Sequence, residues 1–281
     1  MTCLICGGDR HRVVFTERGS HILRCRDCAH VFSSCCGDPH YTGFWGAEVR
    51  DDEHHYWRKA RMRMFEDFLD RYIAGHSGRL LDMGCGLGFF LKRVSAVENW
   101  QACGCEISPA AVRYCHEVQR LPAVACSALD EYDAPDASFD VITMWDVIDH
   151  LAQPDPVLRN CQRLLREDGI LFIRTPNISI QLPRAKMGRV WRGRGGRQSV
   201  LQPHDHMHHY SAASIRRLLG RNGFDLAEFA HLHPVETGRD RLDKWPKRIW
   251  CGAVTALARV TAGHVNLDNL FVVARKLGPT H

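Results

Sequence analysis

The chain has 281 residues, 45% of them hydrophobic and 25% charged, the balance of a globular protein with a full core. Its formal charge of +5 permits an anionic partner but is too small an excess to argue for nucleic acid by itself. No apolar run reaches the roughly 18 residues of a membrane span, and "MTCLICGGDRHRVVF" lacks the apolar core of a secretory signal. The 13 cysteines therefore read as reduced thiols and metal ligands, and the expected location is the cytoplasm.

Four cysteines open the chain as two pairs, Cys3-x2-Cys6 and Cys25-x2-Cys28, separated by eighteen residues. Two such pairs offer four soft thiolates, enough to close two knuckles around one tetrahedral Zn²⁺. Small residues follow each pair ("CGG" at 6–8, "CAH" at 28–30), and "RVVF" (12–15) and "HILRC" (21–25) read as short strands flanking a "TERGS" turn. This predicts a zinc ribbon over residues 1–40. Four protein ligands leave no open catalytic position, so its expected role is structural or in substrate docking. Cys35 and Cys36 are adjacent and lie outside the pattern.

Residues 41–281 read as a second unit. "HHYWRKARMRMFEDFLDRYI" (54–73) has apolar residues at helical spacing. Strands are then expected at 79–84, 101–107, 122–126, 139–146 and 169–176, with helices at 89–98, 108–119 and 156–167 between them. "SAASIRRLLGRNGF" reads as a helix with a glycine stop, followed by strands "LAEFAHLH" and "NLFVVARK". Such alternation predicts an α/β fold: a Rossmann-like, seven-stranded, mostly parallel sheet with helices on both faces. Ligands of such sheets bind at the carboxyl ends of the strands.

At the first of these ends stands "LLDMGCGLGFF" (80–90). Gly84, Gly86 and Gly88 make GxGxG, and Phe89 occupies the place of the third glycine of the dinucleotide fingerprint. Asp82, just before the turn, is awkward for a pyrophosphate but suits a cationic amino group. Glu106 ends the second strand, where its two oxygens can take both hydroxyls of a ribose. A nucleoside with a ribose, an ammonium group and no pyrophosphate is S-adenosylmethionine (SAM).

"LLDMGCGLGFFL", "GCEIS", "FDVITMWDVIDHL", "REDGILFIRTPN" and "HDHMHHYSAASIRRLLGRNGF" resemble, in order, the motifs of class I SAM-dependent methyltransferases. The branch they are most similar to includes the ubiquinone-biosynthesis O-methyltransferases, and the resemblance covers roughly residues 55–276. It implies that Asp82 and the turn Gly84, Cys85, Gly86 and Gly88 hold the methionyl part, that Glu106 binds the ribose, and that Ile107 flanks the adenine. Where the family often has an acidic residue for the adenine amino group, this chain has Ser127, with the backbone of Ala128 placed for adenine N1. Trp145 is expected against the methionyl end.

Methyl transfer from a sulfonium is an in-line displacement, so the main task is aligning the acceptor. An alcohol or phenol acceptor also needs a base or a metal. Asp146, Asp149 and His150 fall at i, i+3 and i+4. They are expected either to hold a divalent ion such as Mg²⁺, as the resemblance implies, or to leave His150 as general base, acceptor-positioning residue or structural cap. In "PHDHMHHYS" (203–211), His206 and His208 share a face if the segment is extended; they are expected in the acceptor pocket, the alternatives being an exposed polar loop or a second Zn²⁺ site. "PRAKMGRVWRGRGGRQ" (183–198) reads as a mobile loop, solvated or acting with the following residues to 210 as a lid whose arginines recognise an anionic acceptor. The basic segment 244–262 could close the pocket, line a dimer contact or lie on a membrane surface. The leading expectation is O-methylation of a natural-product, glycan or lipid precursor. The alternative is an RNA methyltransferase docking through the ribbon and the arginine loop, against which "MWDVIDH" lacks the prolines that accompany nucleobase amino-group methylation.

Overall fold

The computed structural model describes residues 1–35, 55–192, 201–233 and 269–277. Two sheets organise them. The ribbon contributes β1 (His11–Glu17), β2 (Ser20–Cys25) and β3 (Val31–Ser33), an antiparallel meander. The larger part holds α1 (His55–Tyr72), β4 (Gly78–Met83), α2 (Phe89–Val94), β5 (Trp100–Glu106), α3 (Pro109–Glu117), β6 (Val124–Cys126), β7 (Phe139–Trp145), α4 (Pro154–Leu164), β8 (Leu165–Pro176), α5 (Ile178–Arg192), β9 (His208–His209), α6 (Ala212–Arg221), β10 (Phe224–Phe229) and β11 (Asn269–Lys276).

The large sheet has seven strands in the order β10-β11-β8-β7-β4-β5-β6. β8, β7, β4, β5 and β6 run parallel, and β11 lies antiparallel between β8 and β10. The chain works outward from β4 to β6, then returns to place β7 on the other side of β4. That reversal opens a crevice at the carboxyl ends of β4 and β7, the place where such sheets take ligands. The expected fold class is the one observed.

The strands are buried on both faces because successive side chains alternate between them. Leu80, Val141 and Phe172 join one core with Phe65 and Phe68 of α1 and Phe90 of α2; Leu81, Ile142, Leu171 and Ile173 join another with Leu158 and Cys161 of α4 and Ile215 and Leu218 of α6. The second core also contains Cys3, Ile5, Leu23, Cys25 and Phe32, so the ribbon shares it. Among the described residues, no helix is long and apolar enough to cross a membrane.

Two features depart from the sequence reading. The segment expected to begin a mobile loop at Pro183 is the body of α5, which continues to Arg192. Leu182 and Ala185 bury on Ile22 and Val31 of the ribbon, and that packing holds a helix which the glycines alone would not favour. The ribbon's sheet also has a fourth strand, β9, which pairs antiparallel with β3. Residues 193–198, the segment 244–262 and Cys36 lie outside the described residues.

Candidate active site

β4 delivers the chain to the crevice, and the amides of Gly84 and Cys85 both donate to the carbonyl of Cys105 on β5 (2.8 and 3.1 Å). Gly84, Gly86 and Gly88 take left-handed φ angles of 72°, 54° and 72°, which glycine adopts without steric cost. A Cβ on Gly84 would lie 2.6 Å from a methyl of Val147, so this position requires glycine for space as well. The same close approach lays the turn 147–150 over the glycine turn.

Two buried carboxylates stand at the carboxyl ends of β4 and β5. Asp82 is 2% exposed and accepts a hydrogen bond from the Thr143 hydroxyl of β7 at 2.7 Å. Burial pushes its carboxyl up to about 8; the Thr143 bond opposes this and the charge of Glu106 adds to it. Glu106, 6% exposed, accepts from the amide of Gly86 through Oε2 (2.8 Å) and from the amide of Ser108 through Oε1 (3.0 Å). Burial raises its carboxyl above the usual range, although the amides of Ser108 and Gly86 pull it back. Glu106 therefore shapes the glycine turn.

The remaining expected cofactor residues lie on the glycine turn, after β5 and β6, and at the end of β7. Ile107 follows Glu106 and is half-buried. The Ser127 amide donates to the Glu106 carbonyl (3.1 Å), while its hydroxyl donates to the carbonyl of Ala128 (2.9 Å). The Cys115 thiol beside Cys85, together with burial, pushes the Cys85 thiol well above the ordinary range, which keeps it neutral. The Trp145 ring packs among Phe65, Phe68, Phe90 and Phe172, with centroids 4.7–5.4 Å away. It anchors α1 and α2 to the sheet from this position.

Beyond Trp145 the chain leaves β7 through Asp146, whose left-handed φ of 57° an aspartate tolerates. Its carboxylate pairs with Arg61 of α1 (2.5 Å) and with Arg174 of β8. Burial would raise its pKa, but the two guanidinium groups outweigh burial and hold it below the usual range. Asp146 is thus committed to these arginines, and the set Asp146, Asp149 and His150 does not assemble as a metal site.

Instead, Asp149 and His150 meet His206. Asp149 Oδ2 lies 3.5 Å from His206 Nε2 and 4.0 Å from His150 Nε2, and the two rings meet edge to face at 4.7 Å. Asp149 is 2% exposed, with neither carboxylate oxygen hydrogen-bonded. His150 shares its Nδ1 proton with the Asp205 carbonyl at 2.9 Å, which turns its Nε2 toward Asp149 as the acceptor nitrogen. One carboxylate and two imidazoles are not the all-oxygen octahedral shell that Mg²⁺ prefers, although such a set can hold a transition-metal ion. They do suit proton transfer at a developing oxyanion.

His208 does not join this cluster. The amides of Asp205 and His206 both turn back to the Gln202 carbonyl (3.0 and 2.8 Å), so extended backbone begins only at β9. His206 therefore faces Asp149, while His208 stacks on His30 of the ribbon (centroids 5.4 Å) with Nδ1 3.2 Å from His30 Nε2. His30 and the Arg61–Asp146–Arg174 clamp are features that the sequence reading missed. The signal available was a lone arginine inside "LFIRTP", a charge in an otherwise apolar strand.

The two cysteine pairs converge. Cys3 Sγ and Cys28 Sγ lie 3.4 Å apart, Cys6 Sγ and Cys25 Sγ 3.6 Å, and all four sulfurs lie within 4.8 Å of one another. A tetrahedral Zn²⁺ with Zn–S bonds of about 2.3 Å sets its sulfurs about 3.8 Å apart. The knuckles repeat each other: Gly7 and Ala29 donate to the carbonyls of Cys3 and Cys25, while Cys3 and Cys25 donate to those of Gly8 and His30. Gly7 and Ala29 hold the two left-handed turns, at φ 74° and 61°.

Residues 50–228, more than half of the chain, match the family described as a methyltransferase domain. The chain belongs to this family, within the class I SAM-dependent methyltransferases. It is 29% identical over 178 residues to a protein of Mycolicibacterium smegmatis named "Probable S-adenosylmethionine-dependent methyltransferase", covering 63% of this chain and 62% of that one. With a "Ubiquinone biosynthesis O-methyltransferase" of Caulobacter vibrioides it shares 35% identity over 123 residues, 39% of this chain and 45% of that one. The matched region thus spans less than two thirds of these curated relatives. A SAM-dependent methyltransferase structure from Aquifex aeolicus shares the fold, with a TM-score of 0.51 at 15% identity over 78% of this chain and 94% of that one.

Proposed function

We propose that the protein transfers the methyl group of SAM to an oxygen atom of a small-molecule acceptor in the natural-product, glycan or lipid-precursor class. The observation that carries this reading is the Asp149–His150–His206 cluster, which the Gly84–Val147 contact sets beside the glycine turn. In this reading Asp82 takes the ammonium group of the ligand. The Gly84–Gly88 turn, with Cys85, borders its methionyl part, Glu106 takes the ribose, and Ile107, Ser127 and Ala128 border the adenine. SAM supplies an electrophilic methyl on a sulfonium. His150, its Nδ1 proton occupied by Asp205, receives the acceptor's hydroxyl proton on Nε2. Asp149 stabilises the resulting imidazolium, and His206 orients the carboxylate.

The four cysteines hold a structural Zn²⁺ in this reading. Basic recognition of an anionic acceptor would come from Arg184 and Lys186, which are exposed on α5. Arg189 is already occupied, donating to the Thr16 carbonyl (2.9 Å) and lying over the Phe15 ring. The deciding experiment offers methyl-labelled SAM together with a pool of phenols, hydroxy acids and sugar nucleotides, and with total RNA in parallel, each with and without added Mg²⁺. Label in the small-molecule pool independent of Mg²⁺ is the expected result. Label in RNA overturns the acceptor class, and strict Mg²⁺ dependence overturns His150 as an unaided base.

Asp82 makes a separate prediction. Its folded pKa, about 8, lies above its ordinary 3.8, so its contribution to stability is full below pH 3.8 and is lost as pH rises through about 8. A bound ammonium group favours the ionised carboxyl, so SAM binding expels a proton from it. Affinity is expected to rise with pH by up to about tenfold per unit below that pKa. Calorimetry between pH 6 and 9 checks this, and Asp82→Asn should flatten the trend. A pH-independent affinity in the wild type rules the contact out.

A further inference from the structure

Residues 201–210 carry His206, and their backbone is held from two sides. On the ribbon side, the amides of Leu201 and Gln202 donate to the Glu17 carboxylate (3.3 and 3.1 Å). The Ser33 hydroxyl donates to the Pro203 carbonyl (2.6 Å) and the Ser33 amide to the Met207 carbonyl (2.9 Å). β9 then pairs with β3 in the register Val31–His209 and Phe32–His208. On the opposite side, the amides of Met207 and His208 both donate to the carbonyl of Asp149 (2.9 and 3.1 Å). The segment is therefore a bridge with the ribbon's sheet as one abutment and the Asp149–His150 turn as the other.

Side chains tie the same two parts. His30 stands two residues beyond Cys28, and its carbonyl accepts from the Cys25 amide (2.9 Å). Its ring, 1% exposed, meets His208, whose Nε2 reaches the Ala152 carbonyl (3.2 Å) two residues past His150. From α6, Arg221 donates to the carbonyls of Leu4 and Ile5 between the first two cysteines (2.5 and 3.1 Å). The same guanidinium pairs with Asp155 at the start of α4 (2.7 and 2.5 Å). Asp82 and Glu106, by contrast, bond to Thr143, Gly86 and Ser108 of the methyltransferase sheet and its turns.

We infer that the cysteine ribbon is a wall of the acceptor site: through β3, His30 and Arg221 it sets the position of His206 against Asp149, without reaching the cofactor half of the crevice. This rests on reading the Asp149–His150–His206 cluster as the acceptor end. His30 is a positioning residue here, acting through His208. An appendage that merely folds beside the enzyme would influence neither half, and a general scaffold would influence both.

The test uses the full chain with ¹⁵N-labelled histidine. Ring-nitrogen spectra are recorded for the wild type, His30→Leu and His30→Gln, with the His206 and His150 signals assigned from the His206→Gln and His150→Gln spectra. SAM affinity is measured alongside by calorimetry. His30→Leu keeps all four cysteines and removes the partner of His208 Nδ1. The expected result is displaced or broadened His206 signals with SAM affinity changed less than about threefold. His30→Gln, which can hydrogen-bond again, should restore the wild-type spectrum. Unchanged His206 signals in His30→Leu overturn the inference, as does a loss of SAM affinity in step with them. Since the readout is spectroscopic, it stands apart from catalysis: an acceptor screen that fails would remove the O-methyl reading while leaving this coupling measurable.

Discussion

Replacing Glu106 by alanine will abolish useful binding of SAM while leaving the chain folded. The carboxylate is 6% exposed and already orders two backbone amides, those of Gly86 and Ser108, at 2.8 and 3.0 Å. Alanine would strip the glycine turn of its acceptor and the ribose of its partner together. Hydrogen bonds to a charged group contribute about 1.5–3 kcal/mol each, so losing two such bonds weakens binding by roughly 100-fold or more. Glu106→Gln should fall between, because its carbonyl oxygen keeps one amide while its NH₂ faces the other donor. Isothermal titration with SAM, beside a thermal melt of the unliganded protein, gives both numbers. A Glu106→Ala protein with wild-type affinity would remove Glu106 from the cofactor site.

The second large effect is expected at His150. With the acceptor found by the labelled-SAM screen, His150→Ala should lower kcat by about 10²–10⁴, the usual contribution of a positioned general base. SAM affinity should stay within about twofold, since none of the residues proposed to hold SAM belongs to the Asp149–His150–His206 cluster. Asp149→Asn should also be impaired, because a neutral amide cannot balance an imidazolium in a site that is 2% exposed. Residues acting as one unit are not additive, so the double variant should be scarcely worse than His150→Ala. Full turnover in His150→Ala would transfer the base role elsewhere, with His206, 3.5 Å from the same carboxylate, as the next residue to test.

The glycine turn with its two carboxylates, proposed as the cofactor half, and the cysteine cluster are legible in the amino-acid sequence because their spacing is local. GxGxG straight after a strand, an aspartate two residues earlier and a glutamate ending the next strand are set by backbone geometry within about 25 residues of one another. Parallel neighbours β4 and β5 then bring them together by register, Asp82 opposite Gly104 and Met83 opposite Cys105. Paired cysteines carry their own spacing in the same way, and alternating apolar runs define the sheet.

What the sequence alone left open was which distant charges meet. Asp146 had the helical spacing of a metal ligand, yet arginines 85 and 28 positions away claim it. His206 and His208 promised a common face, and a turn at Gln202 sent them to opposite sides. The helical α5 was hidden in a glycine- and arginine-rich stretch, because its stability comes from burying Leu182 and Ala185 on the ribbon. The pairing of β3 with β9 joins Val31 to His209 and Phe32 to His208, far apart in the chain. A two-residue strand has no pattern of its own, so only tertiary packing could reveal that this pairing sets the ribbon beside the Asp149–His150 turn.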